Sequence, residues 1–489
     1  MRLKRQTVAY PVVLSLGLAL GSCSLPPMTQ PHTSRSSMPV DRPVQLAERS
    51  EERRPINPGG NAATHHVHNQ EAFARPAPTA SASDLRRFNF GNRLFNTSWV
   101  IAPASVAAFD GLGPVFNRVS CSGCHVRDGR GRPPVSGEST MLSMLIRWSI
   151  PGRADDGGSL PVPGYGTQLN DRAIPGIPAE ARVAITWRES AGKFGDGSTY
   201  SLREPQYQFS KPAFGPLPKA MLVSGRVAPA VFGLGLVEAI DAASIVENAD
   251  PQDADGDGIS GRPNWVLPSA GEPPVLGRFG WKAGAHSLSQ QAADAARNDI
   301  GITTDLSPTE NCADGQIDCA KAINGGSPEM DERSFASLVH YLRLLGVPSQ
   351  RAIPDVRSLA RGESIFSEFG CGDCHRPSWT TVSGAEPALL SDQTIHPYSD
   401  FLLHDLGAGL ADNRPEYAAT GSEWRTPPLW GVGLISAVND HQYLLHDGRA
   451  RGVAEAILWH AGEAEQSMLK FRAAPRPDRE ALVTFVNSL

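Results

Sequence analysis

The sequence predicts a mainly α, loop-rich fold in two unequal halves, with a partly β insertion in the first, and three observations carry that expectation. Cys121-Ser122-Gly123-Cys124-His125 and Cys371-Gly372-Asp373-Cys374-His375 share one C-x-x-C-H spacing and stand far apart in the chain. Weak repeats accompany them, and the clearest has apolar residues at helical i, i+3, i+4, i+7 spacing. Glycine and proline number 48 and 41 of 489 residues, about 18% where roughly 12% is ordinary. At roughly 100–200 residues per domain the length sets a prior of two to four domains.

Taken in order, residues 1–23 open with Arg2, Lys4 and Arg5, continue through an apolar run from Val8 to Leu20 and end in Leu20-Gly21-Ser22-Cys23. The run is too short to span a bilayer and has the form of a signal peptide. Its ending resembles a lipobox, so Cys23 is expected to carry a lipid that anchors an exported protein at the periplasmic face of a membrane. Residues 24–80 are rich in Pro, Ser, Thr and Arg with little apolar periodicity, and are expected to form a disordered tether. His65, His66 and His68 fall in it and are read as a solvated patch rather than a metal site.

Residues 81–352 and 353–489 are the expected halves. Phe116 and Phe366 each precede a motif by five residues, and residues 228–236 match 426–434 as Pro-Gly elements. Residues 335–345 match 479–489 as closing helices, the first ended by Gly346-Val347-Pro348. The size difference lies between the first motif and its Pro-Gly element. There residues 140–215 hold β-leaning stretches such as Val183-Ala184-Ile185-Thr186-Trp187.

The motif spacing has a chemical reason. Two thiols one turn apart form thioethers to the two vinyl groups of one haem, and the adjacent His offers its imidazole to the iron. Cys121, Cys124 and His125 are thus expected to hold one c-type haem, and Cys371, Cys374 and His375 a second. A zinc ribbon would need its cysteine pairs much closer together, and a redox dithiol needs no following His. Cys312 and Cys319 flank a polar loop and are expected to form a local disulfide. The formal net charge of −6 lacks the basic excess of a nucleic-acid binder.

With Gly113-Pro114-Val115-Phe116-Asn117, Gly129-Arg130-Gly131-Arg132-Pro133-Pro134, Gly277-Arg278-Phe279-Gly280-Trp281-Lys282-Ala283 and His446-Asp447-Gly448-Arg449, these motifs resemble the di-haem oxidoreductase family, relatives of bacterial di-haem cytochrome c peroxidases. The resemblance spans roughly residues 84–489. It implies two cytochrome c-like domains with one haem each, electrons entering at one haem and peroxide or another small substrate reacting at the other. It also implies a redox partner such as a small cytochrome or cupredoxin.

In these relatives a Met follows the His-Asp-Gly element as sixth ligand of the second haem. Here Glu455-Ala456-Ile457-Leu458-Trp459-His460 puts His460 at that place, which would make the second haem bis-His and lower its potential. Met468 is the rival ligand. Trp281, Gln291 and Asp299 correspond to the inter-haem Trp and the peroxide-side amide and acid, with Glu238 as the alternative acid. Met141, Met144 and His286 are candidate sixth ligands of the first iron. Asp253, Asp255 and Asp257 followed by Gly258 read as the start of a calcium loop, although its twelfth position is Asn264 rather than Glu. The competing readings are a pure electron-transfer cytochrome, and an enzyme that builds a quinone cofactor in a partner protein, where a Tyr would replace His460.

Overall fold

The computed structural model describes residues 56–135, 141–268 and 272–489. The expected signal peptide, Cys23 and the first part of the tether lie outside these. The longer elements, in order, are α1 (Ala82–Asn96), β1 (Met144–Ser149), β2 (Arg182–Lys193), β3 (Thr199–Ser210), β4 (Leu222–Val227), α2 (Leu288–Ala295), α3 (Glu332–Leu344), α4 (Val356–Glu368), α5 (Glu465–Ala473) and α6 (Arg476–Ser488). Helix makes up 29% and strand 19%, a mixed and loop-rich content.

Local chemistry starts these helices. Ser81 and Asp84 form a reciprocal capping box at α1, while Asp331 and Asp355 accept the Ser334 and Ser358 amides at α3 and α4. Pro477 stands in the first turn of α6, where a missing N–H costs nothing.

The helices carry a duplicated frame. α1 packs on α3, and α4 packs on α6. Gly91 and Gly362 sit at the two crossings: a Cβ on Gly91 would overlap the Ser337 carbonyl and Tyr341, and one on Gly362 the Ala481 carbonyl and Phe485. Ser337 and Ala481, and Tyr341 and Phe485, are equivalent positions of the repeated closing helices. The Pro-Gly elements match equally well. Gly233 donates its amide to Leu345 at 3.0 Å, and Gly431 donates to Leu489 at 2.9 Å. Both are left-handed, with φ of 71° and 72°. Gly233 lies against the Trp430 ring and Gly431 against the Phe232 ring, so the two elements pack face to face where the halves meet.

The crossings give a test. Gly362→Ala forces the backbones of α4 and α6 apart and is expected to destabilise the fold by about 1–3 kcal/mol. Gly372→Ala, whose methyl meets nothing within 4 Å, should leave the thermal midpoint in place. Equal melting of the two variants would contradict the close approach.

The insertion is built from two antiparallel ribbons. β1 pairs with β4 from Met144↔Val227 to Ser149↔Leu222, and β2 pairs with β3 from Arg182↔Ser210 to Lys193↔Thr199. The tip of the β2–β3 hairpin reaches the second half: Gly195 donates to the Arg472 carbonyl at 2.8 Å, and Asp196 pairs with Arg479 at 2.8 Å. A large apolar core takes residues from both halves, and a second cluster around Met144, Ile146, Trp148 and Tyr165 fills the insertion.

Two expectations are corrected. Residues 56–80 are packed rather than loose: Thr64-His65 pairs in parallel with Val347-Pro348, and buried Phe73 stacks on Phe232 at 4.4 Å. His66 and His68 bond Ser349, and His65 is buried. A few anchoring residues and backbone bonds to Leu344 and Arg75 outweigh the segment's polar average. The counterpart of Phe366, whose ring lies 6.4 Å from that of His375, is Phe95, 6.1 Å from His125, and not Phe116. The stretch between α1 and the first motif breaks the spacing on which the Phe116 match relied.

Candidate haem site

Both motifs line one cavity of about 860 Å³. Each is a tight turn in which the histidine amide returns to the first cysteine carbonyl, His125 to Cys121 at 3.0 Å and His375 to Cys371 at 2.9 Å. That turn brings two sulfurs and one imidazole to the same cavity. The four motif cysteines are unpaired, whereas Cys312 and Cys319 form the expected disulfide. Burial pushes the Cys121, Cys124 and Cys371 thiols up to about 12.

The imidazoles are oriented alike. His125 donates Nδ1–H to the Pro229 carbonyl at 2.7 Å, and His375 to the Tyr398 carbonyl at 2.9 Å. A carbonyl can only accept, so Nδ1 carries the proton and Nε2 keeps its lone pair, the arrangement a metal-ligating histidine needs. Burial lowers both to about 4, which keeps them neutral at pH 7. His460 repeats the pattern: it lines the cavity and donates Nδ1–H to Ala456 at 2.7 Å. It also acts electrostatically on His375. Unpaired sulfurs, oriented neutral imidazoles and a large, mostly apolar cavity fit haem. Met468 lines the cavity as well.

The first motif has different company. Asp299 sits in a π-type turn, Ala296–Ile300, that continues α2, and such turns often accompany functional positions. Its carbonyl accepts the Asn117 and Arg118 amides at 2.8 and 3.0 Å, just before Cys121. Its carboxylate accepts from Gln168 Nε2 at 2.8 Å. Burial raises its pKa, with Gln168 and Arg147 opposing the shift. Leu288, Gln291, Ala295 and Asn298 line the cavity on the same helical face. Trp281 is buried there too, its indole donating to the Val227 carbonyl at 3.0 Å. Val227 stands two residues before Pro229, whose carbonyl holds His125.

Other expected site residues lie elsewhere. Glu238 is not a distal acid: it accepts from the Leu288 amide at 2.8 Å and pairs with Arg343 at 2.5 Å, and it does not line the cavity. Met141 and His286 do not line it either, whereas Met144 does. In the acidic loop Asp250 joins Asp253 and Asp255 in a group able to hold a cation, while Asp257 turns its carboxylate to the Ile259 amide at 2.7 Å.

Four cavity residues were given no role from the sequence, although His446 stands in the His446-Asp447-Gly448-Arg449 motif. Asp294 is held by Gln290 at 2.9 Å and has its pKa raised by burial. Its i+3 spacing from Gln291 was the available signal. His446 stacks on Trp424 at 3.7 Å, and Arg147 enters from β1. His404, also at the cavity, is clasped by Asp400 at 2.7 Å and Glu463 at 2.6 Å, and the two carboxylates hold it well above the usual histidine range despite burial.

Residues 56–489 match the family described as "di-haem oxidoreductase, putative peroxidase". Among solved structures, Kuenenia stuttgartiensis hydrazine synthase pressurized with 20 bar xenon is similar at 13% identity and a TM-score of 0.31, over 88% of this chain and 97% of that one. That similarity is too low to place a residue. No curated protein matches the chain. With both haem motifs inside the matched span, the chain belongs to the di-haem oxidoreductase family.

Proposed function

We propose that this oxidoreductase is an exported, lipid-anchored di-haem c-type enzyme of the peroxidase kind, its two halves each a cytochrome c-like domain. The observation that carries the reading is the asymmetry of the cavity. Near the second motif stands a third imidazole, His460, oriented as a ligand. Near the first stand a buried carboxyl, Asp299, and the amides of Gln291 and Gln168. The second site thus suits electron storage and the first suits a small substrate.

Haem bound through the four cysteines would supply the redox chemistry, and His125, His375 and His460 are the residues whose imidazoles would hold iron. Reducing hydrogen peroxide consumes two electrons and two protons and yields two waters. Asp299 takes the proton from one peroxide oxygen and returns it to the other, a general acid–base role. Gln291 orients the substrate, and Trp281 lies on the electron path, bonded to Val227 two residues before the Pro229 carbonyl that holds His125. A small cytochrome or cupredoxin is the donor. Calcium is assigned to Asp250, Asp253 and Asp255, three carboxylates of one group.

The test is steady-state consumption of hydrogen peroxide by the haem-loaded protein with a reduced small cytochrome as donor. Turnover dependent on both reactants is expected. If peroxide is not consumed while the donor still exchanges electrons with the protein, the chain is an electron-transfer cytochrome instead.

A further inference from the structure

The β1–β4 ribbon has two unlike faces. Met144, Ile146 and Trp148 belong to the insertion's apolar core, Met144 at the ribbon's end also reaching the cavity, whereas Leu145 and Arg147 alternate with them and line the haem cavity beside Arg226, the partner of Leu145 across the ribbon. The insertion, present only in the first half, therefore brings charge into the cavity.

Six other arginines line that cavity, and each gives hydrogen bonds or ion pairs to protein carbonyls, hydroxyls or carboxylates. The Arg147 guanidinium gives no hydrogen bond to any described residue, although it acts electrostatically on Asp294, Asp299 and Glu416. Those neighbours do not use it up. Glu416 pairs with Arg226 at 2.9 Å and Arg414 at 2.7 Å, and Asp412 pairs with Lys282 at 2.8 Å. The carboxyls that remain are Asp294 and Asp299, each with its pKa raised by burial and each already held by an amide, Gln290 at 2.9 Å and Gln168 at 2.8 Å. Tyr417 lines the same wall, and burial pushes its phenol up to about 12, so it stays a neutral donor. A half-buried guanidinium with its fork unoccupied is matched by a planar anion that accepts two parallel N–H bonds.

We propose that Arg147 seats a carboxylate inside the haem cavity, with the Tyr417 hydroxyl as a second donor. The carboxylate has two sources, a propionate of the first haem or a free carboxylate-bearing substrate. The assignment rests on the di-haem reading above, not on peroxide as the substrate.

Arg147→Gln and Arg147→Lys in the haem-loaded protein test it, with two haems per chain first confirmed by the pyridine haemochrome. A lower haem count would count against the di-haem reading itself. Resonance Raman propionate bands report the first source, and a Soret titration with acetate the second. R147Q is expected either to shift the propionate bands with acetate binding unchanged, identifying the haem, or to weaken acetate binding at least tenfold with the bands unchanged, identifying a free substrate. R147K, which keeps the charge without the fork, should show a smaller change of the same kind. If both variants leave the bands and the acetate titration as in the parent protein, the proposal is overturned.

Discussion

Replacing His460 with methionine will raise the reduction potential of one haem and leave the other where it was. Axial ligands command a span of roughly 0.8 V in haem proteins, and exchanging a bis-His for a His/Met pair moves toward the upper part of it. A rise on the order of 0.1 V or more is expected by spectroelectrochemistry. His460 fixes its tautomer by donating Nδ1–H to the Ala456 carbonyl within its own helical turn, and it lies where it acts on His375. Methionine restores the residue that the peroxidase relatives carry at this place, so the turn should tolerate it. His460→Ala is the stronger perturbation: it removes the ligand and should convert that haem from low-spin to high-spin. Unchanged potentials and spin states in both variants would make His460 a buried hydrogen-bonding residue and nothing more.

Asp299→Asn will lower peroxide turnover by about 10²- to 10⁴-fold, the range in which positioned acids and bases contribute, while both haems stay attached. Asparagine keeps the shape and can still meet Gln168, but it cannot carry a proton between peroxide oxygens. The pH dependence gives an independent reading. Asp299 must be ionised to accept the first proton, and its burial raises its pKa above the ordinary Asp value of about 3.9. The parent enzyme should therefore lose activity on acidification through a midpoint above that value, and D299N should lack this acid limb. Because Asp294 is also buried with a raised pKa, D294N is the control. If D294N abolishes the limb and D299N does not, the proton carrier is Asp294.

The parts of this molecule that were readable from sequence are those whose chemistry is local. Thioether spacing lies within five residues, so both motifs announced themselves. The closing helices did the same, because apolar periodicity survives divergence: Tyr341 and Phe485, matched by register alone, turn out to face Gly91 and Gly362 at equivalent crossings. Misreadings arose where spacing crossed an insertion or where one tertiary contact decided the outcome. Phe116 was matched to Phe366 at a fixed offset, but the residue that lies near His125 belongs to α1, beyond an intervening loop. Glu238 was the alternative acid, yet Arg343 on α3 engages its carboxylate. Arg147 offered no signal, since a charged residue in a strand is ordinary until the opposite face of the ribbon is seen to be core.

The family places haem in this chain, and one cavity holds both C-x-x-C-H motifs in different surroundings. The duplicated frame places His460, with its Nδ1–H tied to a carbonyl, near one motif and Asp299 with amides near the other. The most direct test is the electron paramagnetic resonance spectrum of the haem-loaded protein, oxidised and then half-reduced, before and after hydrogen peroxide. The expected result is one low-spin haem unaffected by peroxide and a second that presents a high-spin signal in the half-reduced protein and responds to peroxide. Two haems that remain low-spin throughout, with peroxide leaving the spectrum unchanged, would contradict the division of roles between His460 and Asp299.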